Sequence, residues 1–141
     1  MNRNYEDVLA VPRDLPLIGY RDGRRYFRAD LLMRTWRLAW QNTYKDMPGA
    51  IFVSWNKVER GMVGHIIREW LTLPPSAIHG FLEFIVISWP NLEQESGGQI
   101  DGVAVPQLPS IRQIVKYRRQ FMKMYINHLS TTQQTCKPNS R

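Results

Sequence analysis

The chain has 141 residues, 43% of them hydrophobic and 22% charged, with five Trp, which supports one folded domain with a real core and excludes wholesale disorder. Its formal net charge of +7 favours an anionic partner, whether nucleic acid, an acidic protein patch or an anionic membrane surface. The single cysteine, Cys136, excludes an intrachain disulfide and a cysteine metal cluster, and the longest apolar stretch, FLEFIVISW, is interrupted by Glu83 and too short to span a bilayer.

Residues 1–14 are polar with scattered apolar positions and read as a loosely held arm without an apolar run of signal-peptide length. With a lone thiol that suits a reducing compartment, this predicts a cytoplasmic protein. LPLIGY, RDG and RRYF then predict a β-hairpin turning at Asp22-Gly23, since glycine tolerates the positive φ of tight hairpin turns. ADLLMRTWRLAWQNTYK predicts a first helix with Asp30 as N-cap. Leu32, Trp36, Trp40 and Tyr44 recur every four residues there, and Met33 and Ala39 widen the stripe. DMPGA breaks the chain. Ser54 is the expected cap of a second helix, whose apolar face is Trp55, Val58, Met62, Ile66 and Trp70, with Gly61 and Gly64 either offering close approach to another helix or simply weakening this one. Pro75-Ser76 opens a third helix, expected to end near Ser88. It is apolar nearly all round and therefore central to the core, with a buried strand as the rival reading. WPNLEQESGGQIDGVAVPQLP reads as a long loop in which GVAV adds a short edge strand. Pro109-Ser110 opens the last helix, whose apolar face is Ile111, Ile114, Val115, Phe121, Met122, Tyr125 and Leu129. The expected architecture is mainly α: a compact bundle of about four helices with a small N-terminal β-hairpin, one globular domain over 1–129 and a disordered polar tail over 130–141.

Charge is segregated along this plan. Residues 1–44 carry eight Arg against five acids, residues 45–101 four cations against seven acids, and residues 102–141 seven cations and no acid. In the last helix Arg112, Lys116, Arg119 and Lys123 are spaced four, three and four apart. On a continuous helix they share a sector about 60° wide, while Arg118 falls about 120° away in the apolar face. No carboxylate on that helix neutralises the row, so its mutual repulsion would be relieved by a polyanion such as a phosphate backbone. A second cluster, Arg21, Arg24, Arg25 and Arg28, lies on the hairpin. Together they suggest a two-point grip on nucleic acid, DNA in the first instance, with Gln113, Gln120 and Asn127 as flanking base-edge readers. The competing readings are a solvated helix face and a dock for an acidic protein surface. The tryptophans fall at core spacing and are assigned to packing rather than to base stacking.

Catalytic chemistry is weakly represented. His65 and Glu69, and His79 and Glu83, repeat one spacing on neighbouring helices, which would suit a His₂Glu₂ metal site, but the pattern lacks a recognised ligand signature. There is no nucleophile elbow, phosphate-binding glycine loop or Cys-His arrangement. The expectation is a protein that is not an enzyme and needs no cofactor or metal.

The run WNKVERGMVGHIIREWLTLPPSAIHGFLEFIVISWPNL, followed by GVAVPQLPSIRQIVKYRRQF, resembles a small helical module of phage replication proteins and helicase-loader-like accessory proteins. In that module one helix leads to a second ending in Trp, and a loop with a Pro-Ser-type start opens a basic final helix. The corresponding features here are Trp89-Pro90, Pro109-Ser110 and the helix from Ile111, within residues 55–125. The resemblance implies a non-enzymatic accessory of DNA replication or its regulation, acting in a bacterial host cytoplasm on DNA or on a replication enzyme. No catalytic residues carry over. The hairpin and the Trp-rich helix have no counterpart, which leaves open a protein-interaction module that docks on a host enzyme and modulates or inhibits it.

Overall fold

The hairpin turns where its sequence demands. A computed structural model describes residues 12–95, 97–100 and 102–136, and in it strands β1 (Ile18–Arg21) and β2 (Arg24–Phe27) pair antiparallel, Ile18 opposite Phe27. Asp22 and Gly23 take φ of 53° and 76°, the positive pair that matches the twist of the flanking strands. The root is closed by Arg28 N–H donating to Leu17 O at 2.7 Å.

Helix α1 (Ala29–Tyr44) buries the predicted stripe: Leu32, Trp36, Ala39, Trp40 and Tyr44. Asp30 is not its cap. Arg28 occupies the N-cap position without a side-chain bond, and Asp30 sits in the first turn, where a carboxylate meets the positive end of the helix dipole.

Helix α2 (Lys57–Glu69) is capped by Asn56 rather than Ser54. The Asn56 side chain accepts from Glu59 N–H at 2.8 Å and Glu59 returns the bond to Asn56 N–H at 3.0 Å, a reciprocal box that satisfies two otherwise orphaned donors. The buried face is Val63, Gly64, Ile66 and Ile67, so Val58, expected inside, is 62% exposed. Gly64 does permit a close approach, but by the hairpin: a Cβ there would lie 3.4 Å from the Phe27 ring.

Helix α3 (Pro75–Glu95) starts at Pro75 as expected and does not stop at Ser88; it runs through Pro90. A proline cannot donate to the carbonyl four residues back, here that of Val86. The Tyr44 hydroxyl donates to it instead, at 2.8 Å. Phe81, Leu82, Ile85, Val86 and Trp89 on α3 are fully buried, which settles helix over strand and makes this the central element, packed against α1.

The long loop is ordered in part. Strands β3 (Gln99–Ile100) and β4 (Val103–Ala104) form a minimal hairpin, and Trp89 Nε1–H donates to Pro106 O at 2.8 Å, fastening the loop to the core. The last helix is two. Ser110 caps α4 (Ile111–Lys116), Tyr117 breaks the ladder with φ −110° and ψ 29°, and α5 (Arg118–Cys136) follows. It continues past residue 130, where the sequence predicts a polar tail; residues 137–141 lie outside the described residues, as do residues 1–11 of the predicted arm. Leu129, assigned to the apolar face, is 42% exposed. The chain is mainly helical with a small N-terminal hairpin, five helices among the described residues standing where about four were expected.

Candidate functional site

The break at Tyr117 divides the predicted row of cations. Arg112 and Lys116 belong to α4, Arg119 and Lys123 to α5, so the common sector of a continuous helix does not carry across. The row is also partly neutralised, by carboxylates from α2. Arg112 Nε donates to Glu59 at 3.1 Å. Arg119 and Arg118 share Glu69, donating from Nε at 2.9 and 2.8 Å. These hydrogen bonds, Arg119's first, outweigh desolvation and hold the Glu69 carboxyl below its ordinary value. Arg118 is half-buried, as its place in the apolar face predicts, and its Nη1 also donates to Val115 O at 2.8 Å. The Tyr117 N–H at the break donates to the same carbonyl. Lys116 lies 5.4 Å from the centre of the Tyr117 ring, and Lys123 is exposed.

On the hairpin Arg21, Arg24 and Arg25 are exposed, while Arg28 is half-buried with its guanidinium 3.4 Å from Asp30. The register sets Arg21 opposite Arg24 beside the turn, and Tyr20 opposite Arg25. Guanidinium groups lie over aromatic rings: Arg21 over Tyr26 at 5.4 Å and Arg25 over Phe27 at 5.5 Å. Tyr26 covers Gly19, whose missing side chain makes the room, and Tyr20 is 73% exposed. Counting arginines misses these tyrosines. The signal is the adjacency of Tyr20 to Arg21 and of Arg25 to Tyr26.

Helix α2 brings the two clusters into relation. It packs against β2 on one side and α4 on the other. Gly64 marks the first contact and Glu59, through Arg112, the second, while Glu69 reaches Arg118 and Arg119 of α5. At 100° per residue Gly64 lies about 140° from each glutamate, so hairpin and basic helices flank opposite sides. Between them the outward arc of α2 presents Lys57, Gly61, His65 and Arg68, all exposed, and no carboxylate. The arrangement runs from a basic ribbon, across a basic helix face, to a basic helix pair.

The four candidate metal ligands are engaged elsewhere or apart. Glu69 holds two arginines. Glu83 receives both Arg13 Nη atoms, at 3.1 and 2.6 Å, which ties down one residue of the predicted arm. His65 is exposed on α2. His79 is fully buried, its Nδ1 2.6 Å from Thr35 Oγ1, and its pKa is pushed down to about 4 by burial and by Arg13, against the opposing pull of Glu83. Among the described residues no three potential ligands gather, and no helix is long and apolar enough to cross a membrane. No family model, curated protein or solved structure matches this chain, and the likeness to phage replication modules rests on its sequence features alone.

Proposed function

We propose that the protein is a non-catalytic, nucleic-acid-binding accessory factor of phage-type DNA metabolism, acting in replication or its regulation, that grips a phosphate backbone between its hairpin and its C-terminal helices. The observation that carries this reading is the placement of both basic clusters on the two flanks of one helix whose outward arc adds only positive charge. Among the described residues no carboxylate pairs with Arg21, Arg24, Arg25, Lys116 or Lys123, so these five hold their charge for a ligand. Arg112 and Arg119 each spend one donor of the several a guanidinium carries on α2 and keep the others.

The test is a fluorescence-anisotropy titration of labelled single- and double-stranded DNA over a range of salt. Each phosphate contact contributes about −0.9 to the log–log salt slope on duplex and about −0.7 on single strands. Reversing charge at Arg24, Arg25, Lys116 and Lys123 should flatten the slope and leave folding nearly unchanged. Absence of salt-dependent binding to either form by the wild-type protein refutes the reading. The second reading, a module that docks on and modulates a host enzyme, is favoured by one observation: Ile51 and Val53, before α2, and Val58, in its first turn, are 76%, 74% and 62% exposed.

A further inference from the structure

Residues Ile51 to Ser54 lie in no helix or strand, yet their composition reads as that of a strand. The sequence IFVSW is β-branched and aromatic, the composition that suits a pleated, half-buried surface. Phe52 turns inward onto Trp40, ring centres 5.6 Å apart. Ile51 and Val53 turn outward and are among the most exposed large apolar side chains of the protein. Yet among the described residues no backbone N–H or C=O of Ile51, Phe52, Val53 or Ser54 takes part in a hydrogen bond. A row of unpaired backbone groups under outward β-branched side chains is a template for another strand, and natural proteins ordinarily blunt such edges with charge, proline or a cover. Nothing in IFVS does so.

Beside the segment lies a cleft lined by Ile51, Val53, Trp55, Leu108 and Ile111. In its wall the Trp55 indole Nε1–H is buried and has no acceptor among the described residues, although buried donors are almost always paired. Two cations border the segment. The Arg37 guanidinium lies over Phe52 at 5.8 Å, and Arg60, exposed, donates to Trp55 O at 3.2 Å. The one carboxylate that lines the cleft, Glu59, is taken up by the Asn56 cap and by Arg112.

We propose that Ile51–Ser54 receives an extended acidic segment of a partner protein as an added β-strand. Main-chain bonds to residues 51–54 would supply the pairing, apolar side chains of the guest would enter the cleft beside Val53, and its carboxylates would meet Arg37 and Arg60. This mode draws affinity from the backbone and specificity from alternate side chains. It does not depend on the nucleic-acid reading, because neither Ile51–Ser54 nor Arg37 and Arg60 is among the cations assigned to the basic face.

Two measurements test it. In the unliganded protein, hydrogen exchange followed by NMR should show the amides of Phe52, Val53 and Ser54 exchanging fast; strong protection would mean the edge is already covered and would end the proposal. Panning a displayed library of random twelve-residue peptides on the folded full chain should then enrich acidic sequences rich in β-branched residues. Titrating an enriched peptide should protect those amides and shift the Trp55 indole N–H resonance. Val53→Pro should weaken binding at least tenfold, and the paired change Ile51→Ser with Val53→Ser serves if the proline variant fails to melt cooperatively. No enrichment, enrichment of basic peptides, or binding indifferent to both variants overturns the inference, and loss of DNA binding in the serine variant would overturn its independence by showing that the two surfaces are one.

Discussion

Tyr44 shows how far apart a difficulty and its remedy can lie. Pro90 strips Val86 of its helical donor, and the hydroxyl that replaces it comes from a residue 42 positions away and almost wholly buried. Leaving a buried acceptor unpaired costs about 1–3 kcal/mol, so Tyr44→Phe should destabilise by about that amount. Pro90→Ala restores a backbone N–H to the same carbonyl, and in that background Tyr44→Phe should cost clearly less. Urea unfolding of the four proteins in a double-mutant cycle measures the coupling; strictly additive costs would show that the hydroxyl does not stand in for the missing amide. His79 gives a second expectation at this scale. Its folded value lies at about 4 and its unfolded value near 6.5. Above about pH 6.5 both states are neutral and the stability is fully present. As pH falls below the unfolded value the unfolded chain takes up a proton that the buried imidazole refuses, so stability declines by about 1.4 kcal/mol per pH unit, about 3 kcal/mol in all, and levels off below about pH 4. Glu69, whose carboxyl is held low, adds a contribution that is fully present above the ordinary carboxylate value and is lost as pH falls from there through its lowered folded value. Unfolding curves for wild type and His79→Gln from pH 7.5 to 4.5 should differ in slope; parallel profiles would mean that His79 protonates in the folded state.

At the scale of elements, local signals are legible in the sequence and remote compensations are not. The turn at Asp22-Gly23, the α1 stripe and the start of α4 at Ser110 each carry their cause within a few residues. The passage of α3 through Pro90 depends on Tyr44, and the end of α4 at Tyr117 has no glycine or proline to announce it. The periodicity of α2 points to a face that is rotated from the buried one, because Trp55 precedes the helix, whose N-cap is Asn56. The candidate cations are all visible as residues, but their partners Glu59 and Glu69 sit 53 and 50 positions away, beyond any spacing rule. Two glycines give an elemental test of opposite sign. A methyl added at Gly61 on α2 would have nothing within 4 Å, whereas a methyl on Gly80, where α3 meets α5, would collide with the Tyr125 hydroxyl. Gly61→Ala should therefore stabilise by about 1 kcal/mol through helix propensity. Gly80→Ala should destabilise by about 1–3 kcal/mol, since overpacking outweighs that gain. Thermal melts compare them directly, and equal shifts would show that α5 does not press on α3 at that point.

For the molecule as a whole, the question is what the acids of α2 do to the basic face. Glu59 and Glu69 dock α4 and α5 onto α2 and at the same time subtract from the field that a polyanion would meet. Both roles can be separated by removing charge while keeping shape, with Glu59→Gln and Glu69→Gln. Exposed ion pairs are worth about 0–1 kcal/mol each, and the two-arginine clamp on Glu69 lies toward the upper end, so the double variant should lose no more than about 2 kcal/mol and remain folded. Its net charge rises by two. If the hairpin, α2 and the two C-terminal helices form one phosphate track, Arg112 and Arg119 are released toward the ligand, affinity for DNA should rise several-fold at low salt, and the salt slope should steepen by about 0.9 for each phosphate newly contacted on duplex. If the stripe were only a solvated face, the same changes would lower stability and leave DNA binding where it was. Anisotropy titrations at several salt concentrations, with melting curves of the same samples, distinguish these outcomes. Weaker DNA binding by a variant that still melts cooperatively would place the glutamates on the side of the interface, positioning the arginines rather than competing for them.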